Sequence, residues 1–273
     1  MCIVAVAVDP DAGRTPRGRA PLRFLSVGNR DERHDRPAAP LAPWPGEPRI
    51  VGGRDLEAGG TWLALREDGA YAVVTNVRAP DARRASVHAG HPTLSRGALV
   101  ASYVRSSLGP HAFAKELPSR DDYPAFNLIL RDEVGAFYTN ELGEVTNLGP
   151  GLHGLSNHRL GTPWPKVERL LARLEAALRE PPNESDPEDA LVAACFDALS
   201  DRTQSPDACL PQTGVPLEIE RMLSSAFVVS PAYGTRASTV VLLRADGSQR
   251  VEERSFGPDG ALTGTARTVY TPR

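Results

Sequence analysis

The sequence predicts an α+β protein in which two β-sheets pack together with helices on the outside. Three observations lead there. The first segment, Cys2–Val8, is a continuous run of β-branched and small apolar residues, the composition of a strand buried on both faces. Strand-like runs come first, helical runs occupy the middle, and strand-like runs return at the end, whereas a doubly wound parallel sheet would alternate strand and helix throughout. The 273 residues contain no repeat and no linker long enough to part them, so 1–273 is read as one domain.

After Val8 the turn-forming residues 9–21 read as a long hairpin loop, and Leu22–Val27 resumes as a second strand ending at Gly28-Asn29-Arg30-Asp31-Glu32. The Pro-rich residues 33–49 are expected to be irregular but packed around Trp44. Short strands follow at Gly60–Leu65 and Tyr71–Asn76, joined by a Glu67-Asp68-Gly69 turn. Ser95 has the position of an N-cap for a helix through Ser107, with Leu99, Val100, Tyr103 and Val104 at helical spacing. Pro110–Leu117 makes a shorter helix. Ala125–Arg131, Val134–Asn140 and Glu144–Leu148 have the spacing of a three-stranded meander, and Gly151–Asn157 adds a short strand or loop. Pro165–Arg179 carries Val167, Leu170, Leu171, Leu174 and Leu178 on one helical stripe, and Glu188–Leu199 forms another helix. Strands at Ser225–Ser230, Ser238–Arg244, Gln249–Phe256 and Leu262–Tyr270 complete the chain.

Composition excludes several functions. A net charge of -3 provides no basic field for nucleic acid or an anionic membrane. The short clusters Arg14, Arg17, Arg19 and Arg83, Arg84 lack interleaved aromatics and read as solvated loop charge. The apolar run Ile3–Val8 is too short for a signal-peptide core or a membrane span, so a cytoplasmic protein is expected. Cys2, Cys195 and Cys209 form no C-x-x-C pair, which fits free thiols in a reducing compartment. His153 and His158 lie five apart, and His88 and His91 have no partners, so no metal-ligand set is formed.

Cys2 is the leading chemical candidate. Aminopeptidases that trim an initiator methionine accept a small second residue, so Cys2 can become residue one. Its own α-amine then titrates near neutrality, at roughly pKa 7.7–8. That amine can take the thiol proton and return it to a leaving group, so nucleophile and base come from one residue. The competing reading is a small residue at the end of a buried strand. In the second group, Arg30 can lower a thiol pKa and Asp31 or Glu32 can orient an α-ammonium; a solvated charged turn is the alternative. The third group is two glycine pairs, Gly52-Gly53 and Gly59-Gly60, bracketing Arg54-Asp55 before a strand with Trp62. Glycine allows close backbone approach, so this loop reads as a lid or ligand clamp. It does not match G-x-G-x-x-G. Thr75-Asn76-Val77-Arg78 closes the next strand with polar side chains.

Asn29-Arg30-Asp31-Glu32 spells the motif that names the NRDE-domain family, of the transport-and-Golgi-organisation type, and the chain resembles that family over most of its length. The resemblance adds Met1-Cys2, the Gly52–Leu63 block, Thr75-Asn76 with Arg78, Ser95-Arg96-Gly97, Gly154-Leu155-Ser156-Asn157 and Tyr233–Thr239, in the family's order. That family in turn is similar to the N-terminal-nucleophile hydrolases, with the bile-salt and penicillin V amidases nearest in layout. The resemblance implies an αββα four-layer sandwich with Cys2 as nucleophile. It implies that Arg30 and Asp31 match an Arg and an Asp soon after the first hairpin, with Asn29 and Glu32 as the alternative register. It further implies that Ser156-Asn157 supplies an oxyanion donor, aided by Asn76, and that Arg236 is a later electrostatic support.

Two functions remain open on these residues. One is an amidohydrolase for linear amides or thioesters with an apolar acyl arm, needing no cofactor. The other is a non-enzymatic carrier of an amphipathic ligand, haem or an acyl-CoA or lipid, in the same cleft.

Overall fold

The computed structural model describes residues 2–11, 20–78, 94–117, 120–179 and 187–271. The basic clusters at Arg14–Arg19 and Arg83–Arg84, most of the first hairpin loop, His88 and His91 lie outside them. Strands β1 (Cys2–Val8), β2 (Leu22–Arg33), β3 (Ala38–Trp44), β4 (Glu47–Asp55), β5 (Leu63–Arg66) and β6 (Tyr71–Asn76) come first. Helices α1 (Arg96–Arg105) and α2 (Pro110–Glu116) follow, then β7 (Phe126–Arg131), β8 (Ala136–Asn140), β9 (Val145–Asn147) and β10 (Gly151–Leu155). Helices α3 (Pro165–Arg179), α4 (Pro187–Leu199) and α5 (Leu217–Met222) precede β11 (Tyr233–Arg244), β12 (Gln249–Phe256) and β13 (Leu262–Tyr270).

Two antiparallel sheets result, one in the order β10-β1-β2-β11-β12-β13 and one running in sequence order from β3 to β9. Alternation along β1 explains the doubly apolar first segment. Ile3, Ala5 and Ala7 face α3 and α4, packing with Leu170, Leu174, Phe196 and Leu199. Val4, Val6 and Val8 face the other sheet, against Val73, Ile129 and Tyr138. Beyond that sheet, Leu99, Val100, Tyr103 and Val104 of α1 bury against Ala72, Val74, Leu128 and Leu130. Three apolar layers between four structural layers make the expected αββα sandwich, with helices 96–105 and 165–179 on opposite outer faces. None of the described helices is long and apolar enough to cross a membrane.

Four local expectations are corrected. Residues 33–49 are not irregular throughout: 38–44 and 47–49 belong to the hairpin β3–β4, and Trp44 is buried as expected, with its Nε1 donating to Gly52 O at 3.1 Å. The Asn29–Glu32 run lies inside β2 rather than in a turn after it. β5 begins only at Leu63, because the Gly60–Trp62 stretch is pressed against the start of α1. Ser225–Ser230 is not a strand: Phe227 N–H donates to Asp201 O at 2.9 Å and Val228 N–H to Thr235 Oγ1 at 2.9 Å, a loop carbonyl and a hydroxyl in place of a ladder.

Glu253 of β12 bridges the sheets. Its Oε1 accepts from Leu41 N–H of β3 at 2.7 Å and its Oε2 from Thr239 Oγ1 of β11 at 3.2 Å. Burial pushes its carboxyl up to about 7, against those hydrogen bonds. The folded chain thus holds a proton that the unfolded chain releases nearer 4.5, so this group's contribution to stability falls as pH rises through that window. The shift corresponds to about 3 kcal/mol. Glu253→Gln keeps the Leu41 N–H bond through its Oε1, reverses the other so that Nε2 donates to Thr239 Oγ1, and removes the titration. Its urea midpoint relative to wild type is expected to rise between about pH 5 and about pH 8.

Candidate functional site

In the β1–β2 ladder Cys2 stands opposite Arg30 and Ile3 opposite Asn29. On its other edge β2 pairs with β11, placing Thr235 opposite Asp31 and Ala237 opposite Arg30. Alternation therefore deals the four polar side chains to two faces. Asn29 turns to the helical layer, where Nδ2 donates to Leu199 O at 2.9 Å and Ala226 O at 2.8 Å and Oδ1 accepts from Ser238 Oγ at 2.6 Å. Arg30 turns to the opposite sheet, with its guanidinium 4.4 Å over the Trp62 ring. Asp31 is buried, its Oδ1 accepting from Thr235 Oγ1 at 2.7 Å.

Cys2, Arg30, Asp31, Glu32, Trp62, Asn76 and Arg96 wall one cleft of about 580 Å³. The glycine pairs explain how the walls fit. A Cβ on Gly53 would stand 2.2 Å from the Trp62 indole, so only glycine lets that ring lie against β4. A Cβ on Gly60 would stand 2.5 Å from the Gly97 carbonyl carbon, so the first turn of α1 docks directly on the β4–β5 loop. Ser95 caps that turn by accepting from Gly97 N–H at 3.2 Å, and Arg96 is delivered to the cleft.

Charges around the cleft are unevenly paired. Arg36 takes Asp55 at 2.9 Å and Glu57 at 2.9 Å. Burial opposes ionisation of Asp55, but Ala58 N–H and Arg36 outweigh it and hold the carboxyl below its ordinary range. Arg30 is only 6% exposed and reaches Asp55 no closer than 3.7 Å. Arg96 has one described hydrogen bond, to Ala125 O at 3.5 Å. Behind Asp31, Lys166 of α3 is 2% exposed and donates to Leu223 O at 2.9 Å; burial brings its ammonium down to about 8. Arg78 and Glu220 pair at 3.2 Å in the same buried region.

Burial pushes the half-buried Cys2 thiol up. The positive amino terminus, Arg30 and the Asp31 backbone N–H work against that rise, and the Asp31 carboxylate adds to it. Burial likewise pushes Asp31 up, opposed by the amino terminus, Lys166 and Thr235. The Cys2 carbonyl accepts from Ser156 Oγ at 3.0 Å, and Thr75 Oγ1 in turn donates to Ser156 O at 2.8 Å. Asn157 Nδ2 donates to the Asn76 carbonyl at 3.1 Å and to Asn76 Oδ1 at 2.7 Å. Because a backbone carbonyl fixes which end of Asn157 is the donor, Asn76 must present its oxygen to Asn157 and its Nδ2 elsewhere.

Of the residues singled out from sequence, the fold brings Cys2, Arg30, Asp31, Trp62 and Asn76 to one cleft. It does not bring Asn29, Asn157 or Arg236 to that wall. Asn29 braces β2 against the helical layer, and Asn157 is fully buried and acts on Asn76. Arg236 sits at a register shift in β11, where Nη1 reaches the carbonyls of Arg33 at 2.9 Å, His34 at 3.1 Å and Arg36 at 3.1 Å. It lines a neighbouring chamber instead. Arg96 lies in a family block but had no role assigned, and Ser156, expected with Asn157 at an oxyanion, instead donates to the Cys2 carbonyl. Sequence reading passed over Lys166, whose signal is rarity: the chain has two lysines, and this one sits beside an apolar helical stripe. His153 and His158 bond to Gly149 O and Thr162 Oγ1 outside the cleft. Among the described residues no group of three or more His, Cys, Asp or Glu is placed to hold a metal.

The fold and cleft define a four-layer αββα protein with a cysteine at the head of an interior strand. The family model for Transport and Golgi organisation 2 matches residues 1–258, and the chain belongs to that family. The Transport and Golgi organization protein 2 homologs of Bos taurus and Homo sapiens are 35% and 32% identical, each over 94% of this chain and 93% of theirs. A solved C2A mutant of the conjugated bile acid hydrolase from Clostridium perfringens has a TM-score of 0.45 at 10% identity, covering 100% of this chain and 97% of that one. A Caenorhabditis elegans N-acylethanolamine-hydrolyzing acid amidase ortholog has 0.38 at 11%, covering 88% and 92%. At such low scores the layer order rests on this chain's own sheets and apolar layers.

Substitutions at Arg30 and Asp31 are expected to move Cys2 in opposite directions. Arg30→Met removes a cation that favours the thiolate, and Asp31→Asn removes an anion that opposes it. With Cys209→Ser to silence the exposed thiol, the pH profile of iodoacetamide alkylation should shift upward for the first and downward for the second. Shifts in the same direction would show that the two side chains do not act on Cys2 through charge.

Proposed function

We propose that the chain is a hydrolase whose nucleophile is Cys2, freed as first residue by removal of Met1, and that it acts on linear amides or thioesters with an apolar acyl arm. The observation that carries this reading is the placement of the Cys2 thiol beside Arg30 and the Asn76 amide in one cleft. In the reaction the freed α-amine takes the thiol proton and the sulfur attacks the substrate carbonyl carbon. Negative charge develops on the carbonyl oxygen, where Asn76 Nδ2 donates and Arg30 supplies a cation. One such preorganised donor is worth roughly 3–4 kcal/mol in the barrier. The C–N or C–S bond then breaks, and the α-ammonium returns its proton to the leaving group. Water, deprotonated by the same amine, cleaves the thioester so formed and restores Cys2.

The raised thiol pKa fits this division of labour: a buried thiol that stays protonated needs a base of its own. Asp31 orients the α-ammonium, and Ser156 holds the Cys2 carbonyl so that sulfur and amine keep one geometry. Cys195 is unsuited to the role, being fully buried with its thiol pushed up to about 12.

Intact mass of the purified protein is expected to be lower by one methionine. With short acyl thioesters, Cys2→Ala should lose turnover by at least about 10³-fold, while Cys2→Ser keeps a small residue of it. Retention of Met1, or a fully active Cys2→Ala, would end the nucleophile reading and leave a ligand carrier on the same cleft.

A further inference from the structure

A second chamber, of about 330 Å³, opens beside the Cys2 cleft between β3 of one sheet and β12–β13 of the other. Arg30 and Trp62 are walls of both spaces, so their stacked pair is the partition. The two spaces differ in chemistry. The Cys2 side presents Arg96, the Asn76 amide and carboxylates. The second chamber presents Pro40, Trp62, Phe256 and Ala266, and of its charged groups Glu253 and Arg236 are already engaged. Both oxygens of Glu253, the one carboxyl among the described lining residues, accept hydrogen bonds, from Leu41 N–H and Thr239 Oγ1. The Arg236 guanidinium is clamped on backbone carbonyls. What is left for a ligand is this apolar surface with the hydroxyls of Ser255, Thr263 and Thr265 at its edge and Arg30 at the partition, and the volume lies at the lower end of the roughly 300–1,000 Å³ typical of small-molecule pockets.

We propose that this chamber is the acyl-arm subsite: an unbranched apolar chain whose carbonyl lies at Cys2 passes beside the Arg30–Trp62 pair and lies between Phe256 and Ala266. It rests on the hydrolase reading for the position of the carbonyl, while binding of the chain itself does not depend on turnover. Both ends of the span are on one continuous wall, because Arg30 stands opposite Cys2 in the ladder and stacks on Trp62. The outer lip is the exposed run Leu262–Thr265 on edge strand β13, which leaves the far end open to longer chains.

Each methylene moved from water into such a space strengthens binding about fourfold. In Cys2→Ala protein, calorimetry with butanamide and decanamide is expected to give at least about tenfold tighter binding of the longer chain. Ala266→Phe in the same background fills the chamber and should reduce that preference to less than about threefold. Should Ala266→Phe not fold, Gly264→Phe on the exposed lip makes the same test, since Gly264 lines the chamber on the Ala266 face of β13 and has open space for a side chain. With wild-type protein, the decanoyl to acetyl ratio of kcat/KM on matched thioesters should follow the binding preference and fall in the filled variant. Equal binding of the two amides, or a preference untouched by filling the chamber, overturns the subsite even if short thioesters are turned over. A chain-length preference that collapses on filling, with no turnover of any thioester, keeps the subsite and removes the hydrolase reading.

Discussion

Strand β2 is hydrogen-bonded to β1 on one edge and β11 on the other, and the arrangement of the site depends on that double register. A slip of one residue would send Arg30 into the helical layer and Asn29 into the cleft. Asn29 guards against it: its amide is satisfied only where Leu199 O, Ala226 O and Ser238 Oγ converge. A buried amide left without those partners costs about 1–3 kcal/mol. The side chain without a role in the cleft is thus the one that fixes where its neighbours point.

A second constraint crosses between the sheets. From Cys2 O, hydrogen bonds run through Ser156 and Thr75 to Asn127, Tyr138 and Asn140. The members come from β1, β6, β7 and β8 and the turn after β10, so the first residue of one sheet is tied to three strands of the other. Buried polar chains of this kind are costly when incomplete and rigid when satisfied. Here the rigidity falls on Cys2, the residue proposed as nucleophile.

The charges obey a related logic. Arg36 absorbs the nearby carboxylates, while Arg30 is held mainly by the face of Trp62. A guanidinium kept by stacking rather than by a bidentate carboxylate retains N–H groups for an incoming acceptor. The same stacking divides a strongly polar cleft from a less polar chamber, so one side chain serves both spaces.

The amino-acid sequence by itself determined the layers: the doubly apolar β1, the helical stripe of α3 and the late strands are local patterns of period 2 or 3.6, and such patterns survive without knowledge of partners. It also marked Cys2 as a candidate nucleophile, because a small residue after Met1 is readable locally, and it marked Gly53 and Gly60 as places of close approach. Only the tertiary structure decided which polar residue does what. Asn29, Arg30 and Asp31 are consecutive letters, and their division between faces follows from pairing with strands far away in the chain. Asn157 and Arg236 have the right chemistry, yet backbone carbonyls brought in from Asn76 and from residues 33–36 occupy them. Lys166 reads as a surface residue until α3 packs on β1 and buries it near Asp31. Propensity and periodicity are set by near neighbours, whereas burial, hydrogen-bond partners and charge environment are set by contacts that exist only once the chain has closed.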